Sequence, residues 1–197
     1  MSEIELINRE MGLMKEIFLK VIKIVPSFDL TDAKILPYGL KPHTRSVSWI
    51  VEQVITQQAK FNAKKLGLDD VDIDLPDTCL HDCIVTIKGV EYFINIKITK
   101  ASGKPTRNDI SAVEKLYMQY VANPRYRLIY VVCGFEFTNV KISFVEDSVH
   151  VFSPQFLPIY VNPRNDKIQS LYKTEPQFRS RADFLRLLKE NSKSIAL

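Results

Sequence analysis

The sequence predicts an α/β domain in which a central mixed sheet is flanked by helices. Three observations point there. Helical periodicity over residues 3–24, and again from about residue 46, precedes a β-rich centre. His81 to Lys100 reads as two β-rich runs joined at Lys88-Gly89, which is a hairpin signal. Leu128 to Cys133 is a continuous apolar run that suits a strand buried on both faces. It follows another helical stretch, so the order strand, helix, strand points to a right-handed crossover.

Composition sets the outer bounds. At 197 residues the chain can bury a sizeable core, and residues 1–197 are expected to form a single domain. An apolar fraction of 46% and a charged fraction of 25% are ordinary for a soluble globular protein. No apolar run approaches the ~20 residues that span a bilayer, and the N-terminus lacks the pattern of a secretory signal. A cytoplasmic protein with no membrane partner is expected. Cys79, Cys83 and Cys133 form an odd set, read as reduced thiols. A net charge of +4 permits binding to a polyanion without demanding it.

In chain order, Ile4, Ile7, Met11, Met14, Phe18, Val21 and Ile22 give the first helix its apolar spacing, and Pro26 stops it. Pro37, Gly39 and Pro42 mark a loop that ends in the basic run from Lys41 to Ser46, which includes Arg45. Ser46 or Ser48 can cap a second helix running to about Leu66, with Gly67 as its terminator. Val51, Val54, Ile55 and Phe61 form its stripe, and Glu52 falls at the border beside Trp49. Taken alone, Glu52 reads as an ordinary surface glutamate. The acidic run Asp69 to Asp77 lacks the glycine and terminal glutamate of a calcium loop, so a solvated connection is expected.

The hairpin carries the chemistry. With Lys88 and Gly89 as its loop, Ile87 faces Val90 and Asp82 lies opposite Asn95. Asn95, Lys97 and Thr99 then share a face with Asp82, because side chains alternate along a strand. A slip of one residue would send Asp82 to the far side of the sheet.

Beyond the hairpin, Ala101 to Arg107 is polar, and Lys100, Lys104 and Arg107 are candidates for touching phosphates. Asn108 is read as the cap of a helix bearing Ile110, Val113, Leu116, Tyr117 and Tyr120, which ends near Asn123-Pro124. Residues 139–152 read as two further strands around Glu146 to Ser148. The last part mixes prolines with Arg164, Lys167, Arg179 and planar amide side chains able to meet base edges, a pattern equally common on any loop-rich surface. Ser180 or Arg181 starts a closing amphipathic helix.

At Asp82, Asn95 and Lys97 the chain resembles the PD-(D/E)xK nucleases, the superfamily that includes many type II restriction endonucleases. A glutamate-bearing helix, the Asp82 strand, the Asn95-Ile-Lys97 strand, a helix and a buried strand follow its restriction-endonuclease-like αβββαβ core over about residues 46 to 135. The resemblance implies Mg²⁺-dependent hydrolysis of double-stranded DNA, with Asp82 as principal metal ligand and Lys97 serving the attacking water and the developing charge. Asn95 departs from the pattern, which has Asp or Glu there. An amide oxygen can ligate a metal but carries no charge, and Glu52 is expected to supply the missing carboxylate. The expected metal set is therefore Asp82, Glu52 and Asn95.

A homodimer is expected, since two-fold symmetry suits cutting both strands of a palindrome. Other readings stay open: a catalytically impaired DNA-binding or assembly protein, and a structure-selective repair nuclease or resolvase. Cys79, His81 and Cys83, at alternate positions on one strand face opposite Asp82, could suit Zn²⁺, but the spacing is unlike a zinc ribbon and core or edge roles are preferred. Nothing in the spacing supports a Cys/His nucleophile drawn from Cys83 or Cys133 with His43, His81 or His150.

Overall fold

The computed structural model describes residues 1–39, 44–76, 78–102, 108–165, 167–192 and 195, with the side chains of residues 44–46, 108 and 170 outside that description. The basic segment Lys41 to His43, Lys104, Arg107 and the side chain of Arg45 therefore lie outside the described residues.

The chain opens with α1 (Glu3–Ile24), β1 (Ser27–Asp29), α2 (Thr44–Phe61), α3 (Ala63–Leu66) and β2 (Asp70–Asp72). The hairpin β3 (Cys83–Ile87) and β4 (Val90–Lys100) leads to β5 (Asn108–Ala112), α4 (Val113–Ala122) and β6 (Leu128–Thr138). β7 (Lys141–Phe152), a short 3₁₀ turn, β8 (Tyr160–Asn162), β9 (Lys167–Ser170) and α5 (Arg181–Asn191) complete it. Among the described residues, no helix is long and apolar enough to cross a membrane.

Six strands form a mixed sheet in the order β1-β7-β6-β4-β3-β2. Only β4 and β6 run parallel; the other neighbours are antiparallel. β6 explains its own apolar run. Ile129, Val131, Cys133 and Phe135 enter the core under α1 and α2, while Leu128, Tyr130 and Val132 enter a second core with α4 and α5. Alternation sends each neighbour to the opposite face, so a strand covered on both sides is apolar throughout.

The hairpin has the expected register, with Ile87 opposite Val90 and Cys83 opposite Ile94. Lys88 and Gly89 both take positive φ, 51° and 73°, the twist that a two-residue turn needs to match the strands. The Asp69 carboxylate accepts from the Gly89 N–H at 2.9 Å and fixes the turn.

Several expectations are corrected. The second helix breaks at Asn62, although Gly67 does terminate the last turn in the left-handed region. The acidic connection contains β2, an edge strand whose Val71 is buried against β3; it is the first of the three strands that follow the Glu52 helix in the αβββαβ order. Asn108 opens a strand rather than a helix, because β5 pairs with β9 in a separate sheet ordered β5-β9-β8, and α4 starts only at Val113. Residues 141–152 are one strand, not two. Its pairing to β6 jumps from Val145 opposite Gly134 to His150 opposite Val132, a wide bulge around Glu146 to Val149.

That bulge places Ser148 against Gly134, where a Cβ would overlap both Ser148 Cβ and Oγ. Gly134→Ala is expected to destabilise the fold by about 2–3 kcal/mol, as overpacking of a tight core does. Urea unfolding checks this, the outcome being a lower midpoint at unchanged m-value.

Candidate active site

β4 outruns its partner. β3 pairs with it only as far as Ile94, while β4 continues to Lys100 along β6. At the parting the Asp82 N–H donates to the Ile94 carbonyl at 2.8 Å. The Asp82 carboxylate then accepts from the Ile96 N–H at 2.6 Å, standing in for the strand that has left. Asp82 thus lies just ahead of β3 and opposite Asn95, as the turn length requires.

Glu52 comes from the other side, since α2 packs on the Ile94 and Ile96 face while Asn95 and Lys97 alternate to the opposite one. Glu52 and Asp82 line one cleft of about 210 Å³ with Trp49, Gln53, Thr56 and His81. Burial pushes the Glu52 carboxyl up to about 7, against the pull of Lys97 and with a further push from Asp82. Burial also raises Asp82, opposed by Lys97 and by the Ile96 N–H. One lysine thus acts on both carboxylates.

Asn95 is only 8% exposed. Its Nδ2 donates to the Leu80 carbonyl at 2.9 Å, and its Oδ1 is buried with no hydrogen-bond partner among the described residues. The opposite amide orientation would set two oxygens against each other at Leu80. Asn95 and Lys97 line a second recess of about 350 Å³ with Leu80, Lys115, Tyr130 and Lys167. Cys79 lines both cavities, so the segment from Cys79 to Asp82 is the wall between them.

Among the expected DNA contacts, Lys167 reaches this recess. Lys100 is exposed at the end of β4 and lines neither cavity, and Arg164 is exposed on the turn between β8 and β9. The Arg179 guanidinium donates to the Leu157 carbonyl at 2.8 Å and to Gln177 Oε1 at 2.7 Å, holding the stretch before α5. Lys115 and Trp49 line the cavities without having been assigned to the site. Lys115 sits on the polar side of α4, where an amphipathic pattern predicts only solvent. Trp49, already placed beside Glu52 by helical spacing but given no role, is 70% exposed on the lip of the carboxylate cleft.

Cys79, His81 and Cys83 do not share a strand face, because β3 begins only at Cys83. Cys83 is buried in the core, where burial pushes its thiol up, and His81 Nδ1 lies 3.3 Å from the Tyr126 hydroxyl. Among the described residues no three His, Cys, Asp or Glu side chains form a metal cluster. The oxygen donors at the parting are two carboxylates and one amide.

No family model matches the chain, and no curated protein matches it in sequence. Among solved structures it is similar to NlaIV restriction endonuclease, with a TM-score of 0.55 over 78% of this chain and 68% of that one, at 12% identity. The fold is restriction-endonuclease-like. At so low an identity the likeness concerns architecture alone.

The raised Glu52 carboxyl makes stability depend on pH. Its proton is held more tightly in the folded chain, so the contribution is fully present below the ordinary value of 4.5 and lost as pH rises through about 7. Allowing for solvent screening, the loss is about 1–2 kcal/mol. Glu52→Gln is expected to remove that decline, so that urea unfolding in EDTA finds the variant more stable than wild type at pH 8 but not below pH 4.5.

Proposed function

We propose that this chain is a Mg²⁺-dependent endonuclease of the PD-(D/E)xK kind that hydrolyses phosphodiester bonds in double-stranded DNA, in the manner of type II restriction enzymes. The observation that carries this reading is the shared cleft of Glu52 and Asp82, with Lys97 acting on both carboxylates. The restriction-endonuclease-like fold supports it.

The residues fit a hard cation. Among the described residues, the two half-buried carboxylates with raised proton affinity have Lys97 alone as positive partner, and the buried Asn95 Oδ1 has no donor. All three are oxygen donors of the type that Mg²⁺ prefers. Asp82 and Glu52 would hold the ion in the cleft they share, where it would supply Lewis-acid neutralisation of phosphoryl charge and an acidified water; Asn95 lines the recess across the wall, and the Asn95→Asp variant tests whether its Oδ1 reaches the ion.

The chain's own groups do the rest. Asp82 has one oxygen committed to Ile96, which leaves the other oxygen for the ion. Glu52 supplies the negative charge that Asn95 cannot. The Lys97 ammonium offers three donors, enough to hold the attacking water and to meet charge developing on the phosphate. A homodimer would present two such sites to the two strands.

Cleavage of supercoiled plasmid with and without Mg²⁺ tests the reading. Asp82→Ala, Lys97→Ala and Glu52→Ala are each expected to lower the rate about 10²–10³-fold, the scale of losing a principal electrostatic contact in a transition state. Robust metal-free cleavage, or full activity in both Asp82→Ala and Lys97→Ala, would sink the mechanism. Discrete fragments would separate a site-specific enzyme from a structure-selective repair nuclease. Salt-sensitive binding without cleavage at any divalent concentration would favour a DNA-binding protein that has lost catalysis, the reading that Asn95 itself suggests.

Asn95→Asp adds a charge where only an amide oxygen stood. It also replaces the amide that donates to the Leu80 carbonyl with a carboxylate oxygen, so stability is expected to fall. Raised Mg²⁺ affinity in calorimetric titration is the outcome expected of a metal ligand, and unchanged affinity would place Asn95 away from the metal.

A further inference from the structure

The recess across the wall from the carboxylate cleft has the opposite charge. Lys97, Lys115 and Lys167 line it, against the single carboxylate of Asp109. The three lysines come from β4, α4 and β9, elements far apart in sequence. Lys167 lies 3.7 Å from Asp109, a half-exposed pair, and Gln169 Nε2 also donates to Asp109 at 2.6 Å. Among the described residues Lys97 and Lys115 make no ion pair within contact distance.

Scattered surface lysines serve solubility and need no ligand. Here they converge on a concavity in which cations outnumber carboxylates, and a concave low-dielectric wall focuses that field onto an anion. The wall is tied to β4, because Asn95 Nδ2 donates to the Leu80 carbonyl. The neighbouring cleft is acidic, so an anion entering the recess is held on one side only. Lysine is a point charge without the planar fork of arginine, and therefore suits a contact that positions a backbone without reading sequence.

We propose that Lys115 and Lys167 bind a second backbone phosphate of the DNA strand, one that is not cut, while the carboxylate cleft takes the scissile phosphate. This rests on the nuclease reading for its ligand but not for its test. No bond is made or broken in the recess; the contact sets where the strand lies.

The test is fluorescence anisotropy of a short labelled DNA duplex with the full chain in EDTA, over a series of salt concentrations. The double variant Lys115→Ala/Lys167→Ala is expected to bind about tenfold or more weakly, with the slope of log affinity against log salt reduced by about 1.8, the share of two phosphate contacts. Lys115→Arg/Lys167→Arg is expected to recover most of the affinity, since charge is what matters. Both lysines are exposed, so their removal leaves the core intact. Unchanged affinity and slope in the alanine variant would overturn the proposal, even if the wild type cleaves DNA. Loss of affinity and slope in a chain that never cleaves would uphold it while the hydrolytic reading falls. A wild type that does not bind duplex DNA at all would overturn both.

Discussion

The hydrogen bond from the Ile96 N–H to the Asp82 carboxylate is the constraint on which the site depends. Ile96 is wholly buried, and β3 has already left the sheet at that level. An unmet N–H there would cost about 1–3 kcal/mol. The carboxylate that satisfies it is thereby held at the parting of the two strands, half buried and beside Lys97. The same opening admits Glu52 from the helical layer on the other face. The fold thus needs Asp82 at the very place where the proposed chemistry would use it.

The rest of the molecule keeps that opening in shape. Glu10 on α1 takes a bidentate pair from Arg127, at 2.7 and 2.5 Å, which ties the helix to the start of β6. Glu10 is 5% exposed, so this pair is shielded from solvent, unlike the open Lys23–Glu146 bridge, which adds little. On the second face Arg181 donates to the carbonyls of Tyr120, Asn123 and Tyr126 and stacks over the Tyr120 ring, fastening α5 to the turn before β6. β6 is therefore anchored from both layers, and β4, its parallel neighbour, inherits a fixed platform.

Much of this was legible in the residues, and the limits have physical causes. Lys88-Gly89 determined the turn, the turn determined the register, and the register put Asp82 opposite Asn95. The register of such a hairpin follows from its turn, which Asp69 then holds from outside. β2 was hidden because a three-residue strand with one buried side chain, Val71, gives no periodicity to detect. β5 was misread because Ile110 and Val113 fit a helical stripe; its strand state comes from β9, nearly sixty residues on, a tertiary choice that overrides local spacing. The bulge in β7 imitated a turn, since Glu146 and Asp147 interrupt the apolar alternation. Glu52 stood out only because the hairpin lacked a second acid, and nothing along the chain distinguished Lys115 from any solvent-facing lysine.

Because β4 and β6 run parallel, the chain leaving Lys100 must travel back along the full sheet before β6 can begin. That return path is a topological obligation, and α4, part of it, lies over the face bearing Asn95 and Lys97. The basic recess therefore has a roof by necessity of connection, whatever the outer residues of the crossover happen to be. Its height above β4 is set by Val113, Leu116 and Tyr120 packing into the second core. The crossover acts as a ruler, fixing the offset between the two chambers through apolar contacts that touch neither of them.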